Sequence, residues 1–283
     1  MSSIQTVGIV GAGTMGNGIA QACAVSGIRA VMVDISEAAV QKGLAALQSS
    51  LERLVKKDKL SAADRDAALA RVQGTTDYEA LKSADLVIEA ATENLELKIR
   101  ILRQLDGLLP ADTLIATNTS SISITQLAAV TARAERFIGM HFFNPVPLMA
   151  LVEVIRGLQT SDATHDAVRE LAQRLGKTPV SVRNAPGFVV NRILVPMINE
   201  AFFVLAEGVA SAEDIDAGMK LGCNHPIGPL ALADMIGLDT CLAIMNVYFD
   251  EFKDSKYRAS PLLKEMVAAG RLGRKSGHGV YAY

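Results

Sequence analysis

The chain has 283 residues, half of them apolar and a fifth charged, with a formal net charge of −2. That is enough for two domains of ordinary size or one large one, and the near-neutral charge supplies no long-range field that would gather nucleic acid or an anionic membrane surface. Tryptophan is absent and aromatics amount to 5%, so stacking platforms for single-stranded nucleic acid are not expected.

Thr6–Val10 is a short apolar run that stops at glycines and reads as a buried parallel strand. Residues 14–26 read as a helix and Ala30–Val33 as a second strand, closed by Asp34, which makes a βαβ unit. Residues 1–28 carry no charged side chain, a length that could suggest a membrane span. The glycines cluster as a turn, Asn17 and Gln21 interrupt the run and no basic segment precedes it, so neither a signal peptide nor a span is expected. Helical stretches over 36–58 and 61–72 follow and read as a helical hairpin inserted before the next strand. Strands are expected at 86–88, 114–116, 137–142, 151–155 and 180–182, with helices at 94–108 and 164–175. This alternation argues for an α/β domain with a doubly wound, Rossmann-type sheet over residues 1–185.

After the breaker Asn184-Ala185-Pro186-Gly187 the β signal ends. Residues 188–207, 212–221 and 229–252 have helical apolar spacing, giving a smaller all-α C-terminal domain over 186–283. Its apolar content is high for its size, which suggests a face buried against another chain in a homodimer. Cys23, Cys223 and Cys241 are widely spaced and match no zinc or C-x-x-C pattern, so they read as free thiols of a cytoplasmic protein, with no metal site.

Gly11-Ala12-Gly13-Thr14-Met15-Gly16 has G-x-G-x-x-G spacing between a strand and a helix, with Asp34 at the end of the following strand. In that context Gly11 makes the tight turn, Gly13 lets the backbone approach a pyrophosphate, and Gly16 lets helix and strand pack closely. The helix N-terminus then favours the phosphates. A carboxylate at Asp34 accepts from ribose hydroxyls and repels a 2′-phosphate, which points to NAD rather than NADP.

Four residues in later segments could carry the chemistry. Ser120 lies in a loop after a strand, where open α/β sheets place ligands. His141 is at a strand end beside a proline-bounded turn, and an imidazole suits removal of an alcohol proton near neutral pH. Glu153 sits in an apolar strand, where its charge needs a partner, and Asn191 opens the first helix of the second domain. By residues alone, His141 could equally be a hydrogen-bonded core histidine, Glu153 an edge or salt-bridge residue, Asn191 a helix cap and Ser120 a turn residue. Sequence spacing does not bring the four together. Ser50, Arg53 and Lys57 recur at helical spacing in the inserted hairpin and read either as a phosphate-binding face or as a solvated one. His225 and the aspartates 234 and 239 read as structural.

The segments N-T-S-S at 118–121, H-F-F-N-P at 141–145, G-F-V-x-N-R at 187–192 and H-P-x-G-P at 225–229, together with the closing G-R-K-S-G-H-G-V-Y, resemble the 3-hydroxyacyl-CoA dehydrogenase family. Within it they resemble the short bacterial 3-hydroxybutyryl-CoA dehydrogenases. The resemblance implies NAD-dependent, reversible oxidation of an (S)-3-hydroxyacyl-CoA, with His141 as base and Glu153 as its orienting partner. It implies that Ser120 and Asn191 bond the substrate's 3-oxygen or thioester region, and that Asn144 meets the nicotinamide end. It places Glu93, Lys98, Lys275 and Ser120 near NAD, and Ser50 and Lys57 on coenzyme A. Two alternatives stand beside it: a dehydrogenase of a free hydroxy acid such as L-gulonate, and an NAD-binding protein without turnover.

Overall fold

The apolar run before the glycine loop forms β1 (Thr6–Val10), buried from Val7 onward, and the glycine-rich segment after it opens α1 (Thr14–Val25). The computed structural model describes residues 4–283, and its chain divides into two compact units, one ending at Ala185 and the other spanning Pro186–Tyr283.

In the first unit β1 is followed by β2 (Arg29–Val33), the helical hairpin α2 (Glu37–Val55) and α3 (Ala62–Ala70), and β3 (Val72–Thr75). Then come β4 (Leu86–Glu89), α4 (Leu95–Leu108), β5 (Leu114–Thr117), α5 (Ile124–Ala128), β6 (Phe137–Phe142), β7 (Leu151–Arg156), α6 (Asp162–Arg174) and β8 (Thr178–Arg183). The strands make one eight-stranded sheet in the order β3-β2-β1-β4-β5-β6-β7-β8. From β3 to β6 every pairing is parallel; β7 runs antiparallel to β6, and β8 parallel to β7. The central strands are apolar on both faces because helices cover both, as a doubly wound sheet requires. Helix starts follow local chemistry: Ser36, Ser61, Asn94 and Ser161 each accept from the backbone N–H three residues on.

The strand β3 is absent from the sequence reading, which passes directly from a helix over 61–72 to the strand at 86–88. Its Val-Gln-Gly-Thr sequence has no apolar run, and as an edge strand it is only half-buried. It forms because β2 offers a free edge and because Gly74 lets α2 press in: a Cβ there would lie 2.7 Å from Val40 Cγ1.

The second unit contains α7 (Val190–Ala206), α8 (Ala212–Gly222), α9 (Pro229–Ile236), α10 (Leu238–Phe252) and α11 (Pro261–Ala268). The single helix predicted over 229–252 is in fact two, bent by 97° where Gly237 takes φ +106°. Helix α11 was not predicted; Pro261 at its first turn supplies the start. Asp234, 1% exposed, accepts from Val280 N and Tyr281 N at 2.9 Å each and so ties the C-terminal segment down. Asp216 caps α9 through Leu230 N and Ala231 N and accepts from the Tyr281 hydroxyl at 2.8 Å. Burial and the Asp216 carboxylate push that phenol well above its ordinary pKa.

Among the described residues no single helix is long and apolar enough to cross a membrane, and only the bent α9–α10 pair would pass by length and composition. All three cysteines are free; burial pushes the Cys23 and Cys241 thiols up to about 12, which leaves them protonated packing groups, while Cys223 is exposed.

The tightest point of the fold is the turn between β1 and α1. A Cβ on Gly16 would lie 1.7 Å from the Gly11 carbonyl oxygen. Gly16→Ala is expected to destabilise the protein by roughly 3 kcal/mol through overpacking against backbone, read as a lowered denaturant midpoint, and to reduce NADH binding in the folded fraction.

Candidate active site

The C-terminal ends of β1, β4, β5 and β6 carry the residues to which the sequence points. Gly11 follows β1 with φ +104°, and its N–H donates to Val33 O at 2.7 Å, which turns the chain sharply toward α1. A Cβ at Gly11 would strike the Ala90–Ala91 backbone, whereas Gly13 is exposed and a Cβ there would meet nothing within 4 Å. Gly13 is the N-cap of α1 and supplies no side-chain cap, so the first N–H groups of the helix, around Thr14 and Met15, are available to an anion. Asp34 closes β2, with Oδ2 accepting from Ala12 N and Oδ1 from Ile35 N, both at 2.7 Å. The carboxylate therefore braces the loop it faces. Beyond it opens a cleft of about 290 Å³ lined by Val10, Gly11, Ile35, Tyr78, Leu97 and Ile101. Burial, with Asp34 and Glu89 adding to it, raises the Tyr78 hydroxyl above its usual pKa. These features fit a dinucleotide: an uncapped helix start, bare backbone at Gly13, and a carboxylate beside a cleft whose lining is mostly apolar but includes Arg100 and Gln104. Sequence does not single out the cleft residues Tyr78, Leu97 and Ile101, because they become neighbours only when the short helical turn Tyr78–Ser83, α4 and the strand ends converge.

At the ends of β4 and β5 lies a polar cluster. Glu93 accepts from Ser120 N at 2.7 Å, Ser120 Oγ at 3.0 Å and Thr119 Oγ1 at 2.7 Å. Lys98 is 1% exposed, and its ammonium is bonded to the fully buried Glu89, with Glu93 Oε2 4.0 Å away. Thr117 Oγ1 also donates to Glu89, at 2.8 Å. Glu93, Lys98 and Ser120 are thus brought together. The partner that organises Lys98, Glu89, was missed because in sequence it is simply the last residue of an apolar strand.

His141 and Glu153 are directly opposed in the antiparallel β6–β7 register, and His141 Nδ1 lies 2.8 Å from Glu153 Oε2. Both are buried, at 6% and 0% exposure. The Phe143 ring covers part of the imidazole at 4.4 Å between centroids. Asn118 Oδ1 accepts from Phe142 N at 2.8 Å, which joins the N-T-S-S loop to the end of the histidine strand. The following loop, with exposed Asn144, contains a cis Asn144–Pro145 bond. It packs on α1 through Gly18, where a Cβ would lie 2.9 Å from Val146 Cβ, and Lys177 Nζ donates to the carbonyls of Val146 and Met149. Burial lowers the Lys177 pKa.

On α2, Ser50 is half-buried and Arg53 is exposed, its guanidinium bonded to Ser49 Oγ at 2.9 Å. Lys57, also exposed, falls beyond the C-cap at Lys56 and sits in a turn rather than on the predicted helix face; Asp58 there has φ +53°. In the second unit Asn191 lies in the first turn of α7, and Lys275 is paired with Asp239 at 2.6 Å. The neighbouring Arg192 stacks on Phe252, 3.6 Å from its centroid, and on Tyr257 at 4.8 Å, which anchors the start of that helix. Among the described residues no group of His, Cys, Asp and Glu is placed to hold a metal ion.

The fold and loop are those of an NAD-dependent dehydrogenase. Family profiles make the assignment specific: the 3-hydroxyacyl-CoA dehydrogenase NAD binding domain matches residues 6–185, and the C-terminal domain of the same family matches 187–283. A 3-hydroxybutyryl-CoA dehydrogenase of Clostridioides difficile is 53% identical over 97% of this chain and 98% of its own. The crystal structure of the (S)-3-hydroxybutyryl-CoA dehydrogenase of Ralstonia eutropha is 71% identical, superimposes with a TM-score of 0.98 and covers 99% of each chain. A 5-formyl-3-hydroxy-2-methylpyridine 4-carboxylic acid 5-dehydrogenase, described as an NAD+-dependent dismutase, is 34% identical with a TM-score of 0.80, covering 99% of this chain and 91% of that one. The chain belongs to the 3-hydroxyacyl-CoA dehydrogenase family, and its cofactor is NAD.

Because Asp34 braces the loop through Ala12 N, Asp34→Ala is expected to weaken NADH binding roughly tenfold or more, the scale of a hydrogen bond to a charged group. Fluorescence titration with NADH measures this, and an unchanged Kd would show that the brace is dispensable.

Proposed function

We propose that this dehydrogenase interconverts (S)-3-hydroxybutyryl-CoA and acetoacetyl-CoA, with His141 as general base and Glu153 as its orienting partner. The observation that carries the reading is the buried 2.8 Å contact between His141 Nδ1 and Glu153 Oε2, beside the strand ends that bear the dinucleotide loop. An ionised carboxylate only accepts, so Nδ1 carries a proton, and Nε2 is the ring nitrogen assigned to take the substrate's hydroxyl proton. As the ring becomes imidazolium, the opposed carboxylate offsets its charge. Bound NAD supplies the hydride acceptor. Ser120 and Asn191 are assigned to the substrate's 3-oxygen or thioester region, and Asn144 to the nicotinamide end. Gly11, Gly13, Thr14, Met15, Gly16, Asp34, Glu93, Lys98 and Lys275 are assigned to the cofactor, and Ser50, Arg53 and Lys57 to coenzyme A.

The choice of a four-carbon acyl group is supported by the names of the Clostridioides and Ralstonia relatives. The first unit is read as the NAD-binding domain and the second as the substrate and dimerisation domain. Exposed apolar side chains on the second unit, among them Ile193, Val209, Leu221 and Met235, support a homodimer through it. Free cysteines support a cytoplasmic setting. A free hydroxy acid is the competing substrate class; the pyridine-carboxylate relative is named for a free acid rather than a CoA thioester, although position 5 of that acid bears a formyl group.

Substrate choice and three substitutions test the reading. NADH oxidation is expected with acetoacetyl-CoA and to be far slower with free acetoacetate; the reverse preference overturns the substrate class. His141→Ala is expected to lower kcat by about 10²–10⁴, and Glu153→Gln, which turns an acceptor into a possible donor facing Nδ1, to lower it substantially as well. A folded His141→Ala protein with near-full turnover would sink the catalytic assignment. Lys57→Ala is expected to raise KM for the CoA substrate several-fold and to spare kcat, the pattern of lost uniform binding.

A further inference from the structure

The cluster beneath Ser120 contains one ammonium between two carboxylates, and their unequal burial decides which one keeps it. Lys98 is 1% exposed and Glu89 is fully buried, whereas the Glu93 side chain is 48% exposed. A buried charge without a partner is far costlier than one half in water, so Lys98 stays with Glu89. Glu89 is further fixed by Thr117 Oγ1 at 2.8 Å and by Ala91 N, which donates to Oε1 at 3.0 Å.

The consequence appears in the lone-pair count at Glu93. A carboxylate offers about four acceptor positions. At Glu93, Oε1 takes Ser120 N and Ser120 Oγ, and Oε2 takes Thr119 Oγ1. One position on Oε2 is left. Lys98 Nζ stands 4.0 Å from that oxygen, too far for a hydrogen bond but close enough to take the position if released.

We infer that Glu89 is a positioning residue for cofactor binding: by retaining Lys98 it preserves the last acceptor position of Glu93 for a hydroxyl donor of the bound cofactor, a ribose hydroxyl by chemistry. This rests on the proposed assignment of Glu93 and Ser120 to the cofactor. Glu89→Gln removes the charge that retains the ammonium. Lys98 then turns to Glu93, its remaining carboxylate, fills Oε2 and draws Glu93 away from the N-T-S-S loop. Removing Lys98 as well removes the group through which Glu89 acts.

The test is a double-mutant cycle on NADH affinity, measured by fluorescence titration and isothermal calorimetry on the full chain, with thermal midpoints recorded for each variant. Glu89→Gln is expected to raise the Kd for NADH about tenfold. Glu89→Gln/Lys98→Met is expected to bind no worse than Lys98→Met alone, because Glu89 has no role left once the ammonium is gone. Each single variant leaves one buried charge unpaired and the double variant leaves none from this pair, so Kd values are compared among variants whose thermal midpoints show them folded. A folded Glu89→Gln protein with wild-type Kd overturns the inference, as does a double variant that loses affinity beyond Lys98→Met. Glu93→Gln, run in parallel, separates the two levels: a wild-type Kd there rejects the cofactor assignment of Glu93 itself, whereas a weakened Kd with an unaffected Glu89→Gln rejects only the positioning role.

Discussion

The antiparallel entry of β7 beside β6 is the constraint on which the catalytic reading depends. Directly opposed residues of neighbouring strands have their Cβ atoms about 5 Å apart, and the register sets His141 against Glu153. A one-residue slip would turn each side chain to the other face of the sheet. The pair is therefore as rigid as the sheet core around it, with Met140, Phe142, Val152 and Val154 all buried beside it. Imidazole and carboxylate meet with little entropy left to lose, because the flanking apolar side chains have already ordered both strands.

The same logic of burial and opposition recurs at the cofactor end. Glu89 and Lys98 compensate each other inside the protein, and the half-exposed Glu93 is left to gather Thr119 and Ser120. Asp34 divides its oxygens between the glycine loop and its own strand end. In each case a carboxylate at or near a strand's C-terminal end holds the loop of a neighbouring element. Acidic residues thus serve as brackets between crossover loops that the sheet by itself would leave unconnected. The loop after β6 is bracketed differently, by a lysine donating to two carbonyls and by a glycine that admits Val146 to the surface of α1.

The second unit uses buried aspartates for a comparable purpose. Asp216 and Asp234 together collect backbone N–H groups from the start of α9 and from the C-terminal segment. That segment has little regular structure of its own, so side-chain acceptors replace the missing ladder partners. Asp234, which in sequence reads only as a packing or dimer-contact residue, is what the closing glycine-rich motif is built around: a Cβ on Gly279 would lie 2.0 Å from its Oδ1. Gly279 lets backbone reach the buried carboxylate, and Gly273 lets it pass the Asp234 backbone.

Sequence by itself determined the βαβ unit, the dinucleotide loop with Asp34, the change to helices after Gly187 and the segments that mark the family. These are local features: periodicity, glycine spacing and caps act over a few residues, and the physics that shapes them is written within that span. Tertiary structure decided the rest. It made a strand of Val72–Thr75, because a free edge of β2 outweighed a weak local preference, and it broke 229–252 at Gly237, where a positive φ interrupts apolar spacing that runs on unchanged. It moved Lys57 off the helix face and placed Glu89 under Glu93 and Ser120. Above all it opposed His141 and Glu153, which lie on separate strands joined by a loop. Which way a strand enters a sheet, and which charge a buried ammonium chooses, depend on neighbours distant in the chain, and no window of sequence contains them.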